Sequence, residues 1–377
     1  MRPPRPTPGG QGRQDEEPRV TTLELFFDLV FVFTLTQLTG VLVDRLGPLG
    51  VLQVLLLFGV LWWMYGGYAW LTNAVMPTTP YARMLLILGM AGFLIVALAI
   101  PTAFDGGGVA LGVGYLIVVC VHAALFRRSA AGIGRVGPFN IASALIVLGA
   151  GFVDGPPAYV LWAVALLLQA ATPMLAAPER WHTVNPAHFV ERHGLLMIVA
   201  LGESVVAIGI GAAGLDLTTE LLVTATLGLL LSAALWWMYF GGDDEAAERV
   251  LRDSAPVDRV GLALRAYFYA HIPMLLGIIV LAVGVKNVLA HADEHLHLGP
   301  ALALAGGVGL YVLGDAWFRR VLGIGPILLR SAAGLALLLT VPVGVALNGI
   351  TQLGAVLAIV ALTLAVETRR ARLAAPA

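Results

Sequence analysis

The sequence predicts an all-α transmembrane protein of about twelve helices, arranged as two parallel six-helix repeats. Three observations carry that expectation. Of the 377 residues, 59% are hydrophobic and only 12% are charged, against roughly 25% charged in soluble domains. The mean hydropathy is +0.88, so lipid is the solvent for most of the chain. Apolar runs of spanning length recur from end to end, and several short motifs occur twice in the same order.

The predicted spans are 23–43, 49–71, 83–103, 109–126, 138–153, 157–176, 190–212, 219–240, 261–288, 299–318, 325–347 and 352–367. The fifth, sixth and last are short for a hydrocarbon core of about 30 Å. Residues 1–19 are rich in Pro, Gly and Arg, carry Asp15, Glu16 and Glu17, and lack an apolar core. They are expected to form a disordered cytoplasmic tail and not a signal peptide. The first repeat is expected over 20–178, the second over 179–370, and a C-terminal tail over 371–377. Cytoplasmic loops collect Lys and Arg. With twelve spans and the N-terminus inside, every basic residue except Arg45 and Lys286 falls on the inner side, so both termini are expected in the cytoplasm.

The repeat rests on Trp62-Trp63-Met64-Tyr65-Gly66-Gly67, which recurs as Trp236-Trp237-Met238-Tyr239-Phe240-Gly241-Gly242. Further echoes follow in order. Arg83 opens the third span and Arg265 the ninth; Phe126-Arg127-Arg128 closes the fourth and Phe318-Arg319-Arg320 the tenth; Gly137-Pro138 and Gly325-Pro326 open the fifth and eleventh. Six helices per copy is an even number, which gives both copies the same orientation. An aromatic belt at the cytoplasmic interface accounts for the Trp and Tyr clusters. The Gly pairs point instead to an unwound helix end or a close approach of another group.

Acids in a membrane-length helix are costly and are kept for a reason. Glu24 and Asp28 stand on the entry side of the first span. Thr21 and Glu24 have the spacing of a capping box, whereas Asp28 lies one turn deeper, where capping no longer explains it. Two ionised, unpaired acids at that spacing repel, so one holds a proton or an arginine comes between them. Arg83, Arg192 and Arg265 are the candidates. Asp28 precedes Trp62 by nearly the interval at which Glu203 precedes Trp236, and a slip of one turn would make Glu24 the counterpart of Glu203. Glu203 lies roughly ten residues, or about 15 Å, from the polar end of its helix, near the bilayer midplane. Arg192 and His193 share nearly its face and that of Ser204. A protonated Glu203 bonding a neighbouring helix as structural glue is the alternative. His271 follows Tyr267 at i+4, with Pro273 freeing a carbonyl nearby, and is equipped for a proton relay or for an interhelical hydrogen bond. Its first-half position is held by Met90. Gln37, Asn140 and Gln169 are single polar residues, and Asp315 has the spacing to pair with Arg319.

Several classes are excluded. A formal net charge of −1 without a basic stripe leaves no nucleic-acid partner. Cys120, the single cysteine, permits neither an intrachain disulfide nor a thiolate cluster, and its apolar neighbours make it inert. The loop near 289–298 holds His291, Asp293, Glu294, His295 and His297 without a ligand spacing on a helix, so a solvated loop is expected and not a metal site. No nucleotide, hydrolase or zinc motif occurs, and no cofactor is expected.

Glu24-Leu25-Phe26-Phe27-Asp28-Leu29-Val30-Phe31-Val32-Phe33 with Thr36-Gln37-Leu38, and Glu191-Arg192-His193-Gly194 through Leu201-Gly202-Glu203-Ser204, resemble the two hallmarks of the bacterial low temperature requirement A (LtrA) family. The resemblance runs from Arg19 to Arg370. It implies a multi-pass bacterial inner-membrane protein named for a growth phenotype, and implies no settled activity.

Transporter sites lie at repeat interfaces near the midplane. The expected function is therefore transport or permeation of a small solute or ion, with proton coupling at intramembrane acids. Asp28 and Glu203 would bind the cation or proton, with Glu24 and Ser204 beside them, Arg83, Arg192 and Arg265 as charge partners, and His193, His271 and Tyr267 as auxiliaries. The partners are the bilayer and a small solute, cation or proton; the oligomeric state stays open. The alternatives are an ion channel on the same repeats, a lipid-acting membrane enzyme, and a non-transporting stress-adaptation protein.

Overall fold

A computed structural model of the protein describes residues 19–74, 77–127, 136–175, 184–291 and 293–374. Arg128, Arg135, Arg180 and most of the predicted N-terminal tail lie outside the described residues. A backbone in lipid must satisfy its own hydrogen bonds, and the described chain is all helix with no β-strand. The helices are α1 Thr22–Asp44, α2 Pro48–Ala74, α3 Pro80–Ala99, α4 Gly108–Phe126, α5 Val136–Ala150, α6 Pro156–Leu175, α7 Pro186–Ala212, α8 Thr219–Phe240, α9 Asp243–Asp253, α10 Pro256–Ala263, α11 His271–Ala290, α12 Leu298–Leu322, α13 Ile327–Ala336, α14 Val341–Ala346 and α15 Gly349–Ala374. A π-helical segment, Leu264–Tyr269, joins α10 to α11, and a 3-10 turn, Leu337–Thr340, joins α13 to α14. Ten helical segments of the described chain are long and apolar enough to cross a membrane. The shorter apolar α5 and the helix α6 occupy the remaining two predicted positions.

Local chemistry sets the helix ends. Thr79, Asn185 and Thr218 cap α3, α7 and α8 by accepting backbone N–H bonds, and Pro80 and Pro186 follow where a missing N–H costs nothing. Four departures from expectation have equally local causes. Helix α9, between the eighth and ninth spans, is too charged to register as an apolar run, yet it buries Asp243, Ala247 and Leu251 against the bundle. The ninth span starts at Pro256, not 261, and its π segment places Tyr267 and His271 off the α-helical register. The eleventh span is broken, with Pro342 in the first turn of α14 unable to continue a helical hydrogen-bond ladder. Helix α15 runs past 367 through the predicted tail boundary to Ala374.

The aromatic-belt expectation fails for the first motif. Trp62 is 1% exposed, donating from Nε1 to the Phe268 carbonyl at 2.9 Å, while Trp63 donates to Asn140 Oδ1 at 2.9 Å. Helix α2 continues through Gly66, where a Cβ would stand 2.6 Å from the Phe268 ring, so this glycine admits the π segment against α2. The second motif behaves differently. Trp236 and Trp237 are exposed, and α8 ends there, with Gly242 at φ 115° turning the chain into α9.

Contacts between helix ends fix the relative directions. Val20 reaches Glu191 and Asn73 reaches Asn185, so the starts of α1 and α7 share one end of the bundle with the end of α2. Thr36 then reaches Glu203 farther along the same pair, which makes α1 and α7 parallel neighbours. Arg45 pairs with Asp105 at the opposite end.

Helices α11 and α12 pack backbone to backbone, as small residues permit in membranes. A Cβ on Gly307 would lie 2.4 Å from the Leu281 nitrogen, whereas Gly306 has open space. Gly307→Ala should therefore cost about 1–3 kcal/mol through overpacking, and Gly306→Ala should not. Thermal unfolding of the two variants in the same detergent checks this.

Candidate functional site

Thr21 opens α1 as the expected capping box, its hydroxyl accepting from the Glu24 N–H while Glu24 accepts from the Thr21 N–H. Glu24 is also drawn inward as a charge partner. Arg192, on α7, donates from one terminal nitrogen to Glu24 Oε1 at 3.1 Å and from the other to Asp28 Oδ1 at 3.0 Å, and it also bonds the Thr72 hydroxyl on α2. Glu24, Asp28 and Arg192 are each no more than 1% exposed. The guanidinium is further flanked by the rings of Phe27 and Tyr65, whose centroids lie 5.7 and 5.8 Å away, a favourable setting for a desolvated cation. Tyr65, from the repeated aromatic motif, donates to Asp28 Oδ1 at 3.0 Å. Of the three candidate arginines, Arg192 is the one that stands between the acids. Arg83, in the first turn of α3, donates to the Pro77 carbonyl, and Arg265, in the π segment and exposed, donates to the Gly261 carbonyl.

His188, one turn before Arg192, completes the cluster. Asn73 uses its side-chain nitrogen on the Asn185 carbonyl and on His188 Nδ1, at 3.0 and 3.2 Å, which makes that ring nitrogen an acceptor. The proton of a neutral ring then sits on Nε2, 3.2 Å from Glu24 Oε1. In this arrangement two carboxylates face one guanidinium and a neutral imidazole. The cluster is one positive charge short, and Asp28 Oδ2 is buried with no hydrogen-bond partner.

Glu203 stands apart. Thr36 donates to its Oε2 at 2.6 Å, and Glu203 is eleven residues beyond Arg192, a rise of roughly 16 Å. Asp28 and Glu203 therefore occupy different depths of one α1–α7 seam and do not share one pocket. Ser204 Oγ beside it is buried without a partner.

The auxiliary residues gather at the π segment. His271 donates from Nδ1 to the Ala266 carbonyl at 3.0 Å and accepts at Nε2 from the Tyr239 hydroxyl at 3.1 Å, so its partners are a carbonyl and a phenol, not a carboxylate. Tyr267 stacks on His271 with centroids 5.2 Å apart and tilts against His193 at 5.0 Å, while its hydroxyl is buried and unpartnered. Tyr65 and Tyr239, equivalent in the repeated motif, each present a hydroxyl to a buried titratable group.

A second charged cluster was not legible as such in the sequence. Asp315 pairs with Arg330, correcting the expected pair with Arg319. Arg319 instead forks onto both oxygens of Asp243, at 2.6 and 2.9 Å, and also reaches Glu367 at 3.0 Å. Arg330 bonds Glu367, Asp243 and the Met238 carbonyl. A cleft of about 750 Å³ is lined by Arg19 and, from α7, α9 and the end of α8, by Glu191, Asp244, Glu248, Ile198 and Phe240 among others. Glu191 adjoins Arg192 in the chain, and Asp244 adjoins Asp243. Among the described residues, no group of three His, Cys, Asp or Glu side chains is placed to hold a metal ion; His291 pairs with Glu294.

The family model described as bacterial low temperature requirement A protein (LtrA) matches residues 19–366. An uncharacterised protein of Rhizobium meliloti (strain 1021) is 31% identical over 317 residues, which covers 79% of this chain and 76% of that protein.

Breaking a buried ion pair by removing one partner costs about 3–5 kcal/mol. Arg192→Met should destabilise the protein by that amount, and adding Glu24→Gln and Asp28→Asn should recover most of it. Thermal unfolding in detergent across the series is the check; equal loss in the single and triple variants would mean that packing, and not charge, sets the cost.

Proposed function

The chain belongs to the bacterial low temperature requirement A (LtrA) family, and on that premise we propose that this multi-pass membrane protein moves a small solute or ion across the bacterial cytoplasmic membrane, coupled to a proton or cation at the α1–α7 seam. One observation carries the reading: the buried carboxylates of Glu24 and Asp28 share the single Arg192 guanidinium, so that with His188 accepting at Nδ1 as a neutral ring the cluster is one positive charge short. A single proton or monovalent cation neutralises it, and net charge in a low-dielectric interior is costly enough to make that occupancy favourable.

In this reading Asp28 is the exchanging group, Arg192 its resident counter-charge, and Tyr65 and Thr72 hold the two in register. Glu203, hydrogen-bonded by Thr36 deeper on the seam, is the next station. His193, His271 and Tyr267 form the auxiliary group at the π segment, a helical irregularity common at functional sites. The cleft beside Glu191 is the aqueous vestibule on the basic, cytoplasmic side, with both termini on that side.

The two-repeat architecture belongs to the same proposal. The parallel course of α1 and α7, the paired motif tyrosines, and the glycine contacts joining α3 to α4 and α11 to α12 support it. A Cβ on Gly92 would meet the Gly114 carbonyl at 2.9 Å, as one on Gly277 would meet the Gly307 carbonyl at 2.7 Å. The substrate would pass where the two halves meet, as in other repeat-built transporters.

The test is flux in proteoliposomes. Asp28→Asn and Glu203→Gln should each lower proton-linked flux roughly tenfold or more, the effect of about 1.4 kcal/mol on a barrier, while Lys286→Gln at the opposite end should not. Unchanged ion and proton flux in both acid variants would return the seam to a purely structural role and the protein to a non-transporting one.

A further inference from the structure

The cluster at the ends of α8, α12 and α15 repeats the charge deficit of the α1–α7 seam with different residues. Asp243, Asp315 and Glu367 supply three carboxylates, and Arg319 and Arg330 supply two guanidinium groups. Asp315 is the deepest of them, 0% exposed, and Arg330 is 2% exposed. Asp315 Oδ2 is taken by Arg330, whereas Oδ1 is buried with no hydrogen-bond partner. An unpartnered carboxylate oxygen in such a place carries a full desolvation cost. With three negative groups and two positive ones, no rearrangement among these five side chains removes the surplus charge.

The groups facing Asp315 from the packed elements leave little else to supply the missing charge. From α8 come the Met238 carbonyl, which accepts from Arg330, and Tyr239, whose hydroxyl is engaged with His271. Helix α9 contributes Asp243, another acid, bound by Arg319 and Arg330. On α12, Tyr311 donates its hydroxyl to the Leu235 carbonyl, and Arg319 is committed to Asp243 and Glu367. Arg330 on α13 and Glu367 on α15 complete the shell.

We propose that Asp315 is a second proton-binding site, holding one proton on Oδ1 in the closed cluster. A proton fits where a metal ion does not, because the two guanidinium groups already fill the space between the carboxylates and would face a metal cation as like charges. The proton also has a mechanical role. Arg330 sits in the first turns of the broken eleventh span, and it is bound at once to α8, α9, α12 and α15. Loss of the proton from Asp315 strengthens its pull on Arg330 at the expense of the bonds to Asp243 and Glu367. The α13 end is thereby biased toward α12 and away from α15. This assignment stands on the charge balance of the second cluster and does not require the seam to transport anything.

Infrared difference spectroscopy on the full-length protein in liposomes reads the proton directly, because a protonated carboxyl absorbs apart from a carboxylate. Wild-type protein at neutral pH should show a buried carboxylic-acid band. Asp315→Asn should lose one carboxyl's share of it, and Asp315→Glu should keep that share at a shifted frequency. Asp28→Asn should remove a different component, so failure at one cluster is distinguishable from failure at the other. Exchanging sodium for choline at fixed pH should leave the Asp315 component unchanged. A spectrum of Asp315→Asn identical to wild type while the Asp28 component is retained would overturn the assignment. So would an Asp315 component that follows sodium instead of pH.

Discussion

Everything at the basic end of the bundle depends on keeping the Arg192 guanidinium out of water. Alone in hydrocarbon it would be among the most expensive groups a membrane protein holds. Here it is bonded to both α1 acids and to Thr72, and it is flanked by two aromatic faces. The consequence is architectural: α1, α2 and α7 cannot separate without exposing a bare cation or a bare pair of anions. A cluster of this kind adds little net stability over apolar packing, but it fixes register, because one-residue slips leave charges unpaired. The capping box then gains a second meaning, since Glu24 ends the helix and begins the charge cluster with the same carboxylate.

The two buried clusters share an arithmetic that their residues do not share. One has two acids and an arginine, the other three acids and two arginines, and each leaves one carboxylate oxygen without a partner. They sit at the same end of the bundle, and one cleft is lined by a chain neighbour of each, Glu191 beside Arg192 and Asp244 beside Asp243. The Tyr239, His271, Tyr267 and His193 rings lie between them in a continuous series of contacts.

What the sequence made legible was whatever depends on local spacing. The capping box, the depth of Asp28, the helix positions and the basic end all follow from residues near one another in the chain. The choice of Arg192 over Arg83 and Arg265 does not, because it depends on which helices are neighbours. Asp315 illustrates the limit. An i+4 partner was available in Arg319, but Arg319 is bound to Asp243 and Glu367, and Asp315 pairs with Arg330 from across the α12–α13 turn. Trp62 looked interfacial because it lies in a Trp-Trp-Met-Tyr cluster, yet it is buried among the rings of Phe58, Tyr65 and Phe268 with its Nε1–H on the Phe268 carbonyl. Helix α9 was hidden for the opposite reason, since its anchoring residues Ala247 and Leu251 are few among many charges. Pro342 fell inside an unbroken predicted span, because the two half-helices it separates are fixed by contacts to α12 and α15 that lie outside the local sequence.

The π segment Leu264–Tyr269 has a consequence for the length of its own helix. A π turn accommodates a residue more than an α turn does, so the stretch stores chain. Reverting it to α-helix would pay that residue out, lengthening the rod by about 1.5 Å and turning everything beyond it by about 100°. His271, the first residue beyond it, would be swept off Tyr239 by that rotation, and Trp62 would lose the Phe268 carbonyl. The helix thus carries its own gear tooth, set at the level where the two halves of the protein touch.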